Sequence, residues 1–264
     1  MQSEAFKKEI ELIMSGKKHL SFSAIKSFMQ SPKHFYVYKT DKDSTKAMNE
    51  GQIFHIACLE PEKFKSKFWV LDDSEKCSEL IKGGAKQPRS TNLYKDWLLA
   101  ECAKNEGKEM LSKEDFDTFM AMGNYLNECS ATSELMSGLI NKESEFEFTH
   151  DNFLIKGKID GEGIDYLIDL KKVADASFKK VRWIIEDMMY DMQGAIYCQA
   201  KGKLKYYLIF IDNSCNITVV KLSQASLEKG FNKFKCGLAE FYRCAEEDLF
   251  NSSYEFFNGG FIEV

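Results

Sequence analysis

Residues 153–197 read FLIKGKIDGEGIDYLIDLKKVADASFKKVRWIIEDMMYDMQGAIY, and the periodicity of this stretch decides how the rest of the chain is organised. At period two, Phe153, Ile155, Gly157 and Ile159 fall on one face of a strand and Lys156, Lys158 and Asp160 on the other. The apolar face packs; the charged face looks outward. Gly161-Glu162-Gly163 is a turn signal, and Ile164 to Lys171 is a second strand with Ile164, Tyr166, Ile168 and Leu170 on one side. Asp169 and Lys171 share the opposite side. Asp160 near the end of one strand and Asp169 near the end of the next can therefore converge with the Lys171 ammonium without a long loop to hold them.

Two like-charged carboxylates in one place are unfavourable unless a cation neutralises them, and hard oxygen ligands suit Mg²⁺ or Mn²⁺. Asp-x-Lys on an amphipathic strand is, taken alone, an exposed face with an ion pair worth ~0.2–1 kcal/mol. The following helix changes that balance. Tyr190, Gln193 and Tyr197 are spaced three and four apart, so they form one polar-aromatic stripe where a purely packing helix would carry apolar residues.

The succession GKID, a strand ending IDLKK, and YxxQxxxY on a helix resembles the PD-(D/E)XK nuclease superfamily in its RecB-like and exodeoxyribonuclease VIII (RecE-type) branch. The N-terminal half agrees: HLSFSAIKSFMQSPKHF and AMNEGQIFHIACLEPEKF are similar to two further blocks of that branch. Four blocks in the right order across residues 19–199 make the resemblance specific. By position it implies Asp160 and Asp169 as metal ligands, with the backbone carbonyl of Leu170, and Lys171 as the catalytic lysine. His55 matches the active-site histidine that can touch a metal, and Gln193 and Tyr197 match the Gln-x-x-x-Tyr motif bordering the site. A glutamate before the first strand also recurs in such nucleases; Glu143 is the best-spaced candidate and Glu145 the second. The implied fold is α/β, a mixed central β-sheet flanked by α-helices in α-β-β-β-α-β order (restriction-endonuclease-like), with N-terminal helical additions.

With 264 residues and 44% hydrophobic content, the chain can bury a full core and is expected to be one domain. Residues 1–142 read as a mainly helical N-terminal part, 143–222 as the catalytic sheet and helix, and 223–264 as a C-terminal helix and tail. No apolar run is long enough to cross a bilayer and the start alternates charges rather than building a signal peptide, so a cytoplasmic location is expected. The eight cysteines form no Cys-x-x-Cys pair and read mostly as small buried hydrophobes. The scatter lacks the compact C-terminal cysteine cluster of iron–sulfur relatives. A net charge of −5 speaks against a nucleic-acid ligand, but its distribution is uneven. Lys7 to Lys46 holds nine lysines against four acids, net +5, and Glu240 to Val264 holds six acids against Arg243, net −5.

Along the chain, residues 4–15 read as an amphipathic helix on Phe6, Ile10, Leu12 and Ile13, and Ser21 or Ser23 caps a helix to about Gln30. Lys26 on that helix could receive a terminal phosphate, although Ile25 and Phe28 also suit plain packing. Lys33, His34, Tyr36 and Tyr38 form either a basic-aromatic patch or a solvated loop. Thr45 to Leu59 is a helix with Gly51 one turn before His55, leaving room for a backbone or metal to approach. Lys82, Lys86 and Arg89 sit on a Gly-rich basic loop able to face DNA. Two helices follow, 91–104 and one capped by Ser112 running to about Cys129, with Leu98, Leu99, Phe116, Phe119 and Met120 read as core. Strands 144–149, 204–211 and 217–222, the turns Asp151-Asn152 and Asp212-Asn213-Ser214, and a long helix capped by Ser223 complete the pattern. Phe256, Phe257 and Phe261 make an aromatic tail suited to docking.

The resemblance implies a Mg²⁺-dependent (or Mn²⁺-dependent) exonuclease that resects linear double-stranded DNA ends, 5′ to 3′. Its product would be single strands for a single-strand annealing recombinase, and closed symmetry suits a ring-like homo-oligomer. An endonuclease of restriction or repair type, or an inactive DNA- or protein-binding module on the same fold, are the alternatives. Intact Asp160, Asp169 and Lys171 argue against the last.

Overall fold

The computed structural model describes residues 3–41 and 46–259. Helices come first: α1 (Glu4–Met14), α2 (Phe22–Gln30), α3 (Pro32–Thr40), α4 (Lys46–Leu59) and α5 (Pro61–Lys67). A small parallel pair, β1 (Phe68–Leu71) and β2 (Glu109–Ser112), brackets α6 (Ser74–Lys82) and α7 (Asn92–Lys104). Then α8 (Lys113–Glu128) and α9 (Ser133–Ser137) lead into β3 (Asn141–His150), β4 (Phe153–Glu162) and β5 (Tyr166–Lys172). The chain finishes with α10 (Phe178–Asp187), α11 (Tyr190–Lys201), β6 (Lys205–Ile211), β7 (Ile217–Lys221), α12 (Gln224–Glu246) and α13 (Glu255–Asn258).

The main sheet runs β3-β4-β5-β6-β7, antiparallel everywhere except where β5 lies parallel to β6. A parallel neighbour requires a crossover, which α10 and α11 supply. Because β5 and β6 are covered on both faces, β6 (KYYLIFI) is apolar after its first residue, and β5 (YLIDLKK) is apolar up to Leu170 but for Asp169. Leu167, Leu208 and Phe210 join the core under α1, α2, α11 and α12, while Ile168, Leu170, Ile209 and Ile211 join the core under α4 and α8. A carboxylate within such a strand, Asp169, therefore stands out. The expected mixed α/β architecture is the one observed, extended by β7 and the helical insertion around β1 and β2.

Local chemistry explains most boundaries. Ser21 caps α2 through a bond from the Ala24 N–H, Ser112 caps α8, and Ser223 caps α12. Asp151 and Asn152 both take positive φ, 45° and 70°, as a tight hairpin between β3 and β4 demands.

Several expectations are corrected. The second strand begins at Tyr166, not Ile164, because the Gly163 N–H closes the hairpin onto Tyr166 O at 2.9 Å; this leaves Ile164 80% exposed. Asp160 does not look outward but is buried. Leu99 is exposed and Leu98 only half-buried, so α7 packs through Tyr94 instead. Lys33 to Tyr38 is not a loop but part of α3, started by Pro32 and capped by Ser31. Of the eight cysteines only Cys58, Cys198 and Cys244 are buried. In the tail, Phe256 and Phe257 pack edge-on to Phe28, at ring-centroid distances of 5.9 and 5.8 Å; Phe261 lies outside the described residues. No helix among the described residues is long and apolar enough to cross a membrane.

α11 and α12 touch backbone to backbone at Gly230, where an added Cβ would come 2.2 Å from Asp191 O. A carbonyl cannot step aside as a flexible side chain can. Gly230→Ala is expected to cost on the order of 1–3 kcal/mol, lowering Tm by roughly 3–10 °C in thermal denaturation. An unchanged Tm would mean that the two helices do not meet this way.

Candidate metal and phosphate site

The site forms where β4 and β5 part company. Their ladder holds at Gly161↔Ile168 and Glu162↔Leu167. At the next position Asp160 turns its carboxylate into the opening, and its Oδ2 accepts the Leu170 N–H at 2.7 Å. A side chain has replaced the strand-to-strand bond, and this fixes Asp160 in a gap between two strands. The Leu170 carbonyl meets His55 Nε2 at 3.2 Å, bringing α4 onto the same spot.

His55 Nδ1 lies 3.3 Å from Asp160 Oδ1 and 3.4 Å from Glu143 Oε1. Glu143 is held in turn by the Lys158 ammonium. Its backbone takes φ 53°, a left-handed conformation uncommon for a residue with a side chain inside a strand, and such strain concentrates at functional sites. Burial disfavours a charged imidazole, but Asp160 and Glu143 outweigh it and push the His55 pKa up to about 10. The imidazolium thus bonds to the carboxylates and carbonyl that a cation would choose. Burial likewise opposes ionisation of Asp160, yet His55, Lys171 and the Leu170 N–H keep its pKa below the ordinary carboxylate value.

Asp169 belongs to an adjoining group on the α11 side of the sheet. Gln193 Nε2 donates to its Oδ1 at 2.9 Å, and the Lys171 ammonium lies 2.6 Å from Oδ2. Lys171 also sits 4.7 Å from the centre of the Tyr190 ring, within cation–π range. Burial raises the Asp169 pKa to about 6, with Lys171 opposing. Lys171 is partly buried, which would favour the neutral amine, but Asp169, Tyr190 and Asp160 reverse that and raise its pKa. Tyr197, buried against Phe146 at 5.0 Å between ring centres, backs Gln193 from the core.

The predicted residues are therefore gathered in two linked groups. Asp160, His55 and Glu143 place one ligand atom each within 4.8 Å of one another. Asp169, Lys171, Gln193 and Tyr197 lie on the other side of Leu170, and Asp160 and Asp169 feel one another's charge. Lys26 reaches the same neighbourhood, since burial first and the Lys171 charge second depress its ammonium pKa. Lys82, the last residue of α6, and Lys86 beyond it stay exposed, whereas Arg89 is committed to Asp73, donating at 2.7 and 3.0 Å. Gly51 plays no part in a close approach, because an added Cβ would meet nothing within 4 Å. Sequence reasoning missed the grip of Tyr190 on Lys171 and the pairing of Lys158 with Glu143. Tyr190 was signalled by the helical stripe it shares with Gln193, but nothing local marks the Lys158 pairing.

The donor set fits a hard divalent ion. Gln193 Oε1 is a buried acceptor without a hydrogen bond, Asp169 Oδ2 faces the Lys171 ammonium, and oxygen ligands with one imidazole suit Mg²⁺ or Mn²⁺. The sequence profile of a PDDEXK-like domain of unknown function (DUF3799) matches residues 21–253. The chain belongs to this PDDEXK-like family. Comparison with curated protein sequences finds no match. Among solved structures, the PDDEXK-like chain is similar to a Eubacterium rectale protein given provisionally as an exonuclease. Identity is 14%, coverage is 100% of this chain and 95% of that one, and the TM-score is 0.58, a likeness of fold. An alkaline exonuclease from Laribacter hongkongensis matches at 15% identity over 60% of this chain and 84% of its own, with a TM-score of 0.30.

Proposed function

We propose that this PDDEXK-like protein is a Mg²⁺- or Mn²⁺-dependent deoxyribonuclease that resects linear double-stranded DNA from an end, 5′ to 3′, leaving single strands for recombination. The observation that carries this reading is the Asp160 carboxylate wedged against the Leu170 N–H, with His55 and Glu143 around it and the Asp169–Lys171 pair one residue away. Membership of the PDDEXK-like family supports the reaction class. The four sequence blocks support the finer reading: end preference, polarity, a ring-like homo-oligomer and an annealing recombinase as partner.

Asp160, Asp169 and the Leu170 carbonyl would hold the ion, with His55 and Glu143 flanking them. Once bound, such an ion supplies Lewis acidity at the scissile phosphate and lowers the pKa of a water. Lys171, held 2.6 Å from Asp169 and over the Tyr190 ring, would place a point charge at the phosphate, either steering the attacking water or stabilising the developing charge. Gln193 holds Asp169 by one oxygen and so fixes where the carboxylate and the lysine point. Lys26 adds a second cation where a terminal phosphate would lie.

Linear and covalently closed circular duplexes offered side by side with Mg²⁺ test the reading. Loss of the linear form with the circle intact is expected. Equal cleavage of both would make the protein an endonuclease. Binding of DNA without cleavage in Mg²⁺ or Mn²⁺ would leave only a binding module.

A further inference from the structure

Helix α10 joins the two halves of the site. It follows β5, which carries Asp169 and Lys171, and runs through Met188 and Met189 into α11, whose first residue is Tyr190. Three residues beyond its last residue, Asp187, the Tyr190 ring lies 4.7 Å from the Lys171 ammonium, so the C-terminal turn of α10 stands at the rim of the site. Only Val181 is fully buried along its ten residues, with Ile184 and Ile185 half-buried.

The rest of α10 is hard to explain by folding. Phe178 is 72% exposed and Trp183 68% exposed, an arrangement that wastes two large apolar surfaces in water. Lys179, Arg182, Trp183 and Glu186 recur at helical spacing, and with Phe178 they line a shallow hollow of about 410 Å³. The charges also oppose the helix dipole, with Lys179, Lys180 and Arg182 in the first half and Glu186 and Asp187 in the last turn. Helix stability favours the reverse. None of Lys179, Lys180 and Arg182 has a salt-bridge partner within 4 Å among the described residues, although the chain as a whole is acidic at −5. Exposed aromatics interleaved with unpaired cations, beside a site with phosphate chemistry, complement one kind of occupant: a nucleic-acid strand with its bases unstacked.

We propose that the outer face of α10 is a single-strand platform, on which Trp183 and Phe178 stack against bases while Lys179 and Arg182 contact phosphates. This rests on the nuclease reading for its placement beside the cut but not for its chemistry. Base–aromatic stacking tolerates any sequence, and the helix, about 15 Å long, spans several nucleotides. The platform grips the strand next to the metal ligands and keeps an unpaired end from re-annealing over the site.

The test is binding of a fluorescently labelled oligothymidylate to the full chain in EDTA, so that no cleavage intervenes, across a series of salt concentrations. Trp183→Ala is expected to weaken binding on the order of tenfold, with Trp183→Phe restoring most of it. Lys179→Ala with Arg182→Ala is expected to flatten the salt dependence by about 1.4 log units per log unit of salt. All three sites are exposed, and circular dichroism of each variant confirms an intact fold. Unchanged affinity and slope in the variants, while wild type cuts DNA with Mg²⁺, overturns the platform and leaves the nuclease standing. The losses in a wild type that never cuts with Mg²⁺ or Mn²⁺ support the platform and remove the nuclease. A wild type that does not bind the oligonucleotide, with α10 instead mediating protein contacts, also overturns it.

Discussion

Lys171→Ala is expected to lower DNA hydrolysis by about 10²–10³-fold at saturating Mg²⁺, measured as release of acid-soluble nucleotide from linear duplex, the scale set by loss of one transition-state charge stabiliser. The same change has a second consequence, because Asp169 is 2% exposed and the lysine is its charge partner at 2.6 Å. A buried carboxylate stripped of its partner costs about 3 kcal/mol, so Tm without metal should fall by roughly 5–10 °C. Added Mn²⁺ should restore part of that loss, since a cation at Asp160 and Asp169 replaces the missing charge. Hydrolysis by Lys171→Ala at the wild-type rate would remove the lysine from the chemistry. A Tm that falls equally with and without Mn²⁺ would place the ion elsewhere.

Asp160→Asn separates the structural task of that side chain from its ligand task. An amide oxygen can still accept the Leu170 N–H that the carboxylate accepts at 2.7 Å, so the fold should survive. The lost charge cannot be replaced. Mn²⁺ affinity, followed by calorimetry or by the electron-resonance signal of the free ion, is expected to drop at least about a hundredfold, and hydrolysis with it. Undiminished Mn²⁺ binding would move the metal away from Asp160, leaving the His55–Glu143–Asp160 cluster as a structural ion-pair network.

Why was so much of the centre legible? In β4 and β5 the side-chain period of two is forced by the pleat, so Asp169 and Lys171 on one face follow from counting. The order of blocks around them pointed to the PDDEXK-like fold and, by position, to His55, Asp160, Leu170, Gln193 and Tyr197. Helix starts at Ser21, Ser112 and Ser223 were legible because a capping hydroxyl acts on a backbone N–H three residues away. Even α10 left a trace: Val181, Ile184, Ile185 and Met188 recur at helical spacing after Ser177.

Other features had no local cause to read. β1 and β2 are four residues each and exist only because segments about forty positions apart lie side by side. Leu99 looked like core because it is apolar, but which face of α7 meets the protein depends on what packs there. Arg89 looked like a phosphate contact until Asp73, sixteen residues away, was found holding it.

By itself, the sequence determined the chemical inventory: two strands whose alternation carries Asp160, Asp169 and Lys171, a polar stripe on the following helix, and the caps that start the helices. These are short-range facts, set by the pleat, the helical turn and the reach of a side chain to its own backbone. Only the tertiary structure decided that β4 and β5 separate at Asp160, that His55 and Glu143 close around it while Asp169 turns to Lys171 and Gln193, and that the aromatics of α10 remain in solvent. Those outcomes depend on which distant surfaces meet, and burial, charge pairing and strand splay arise from that meeting rather than from any one stretch of chain.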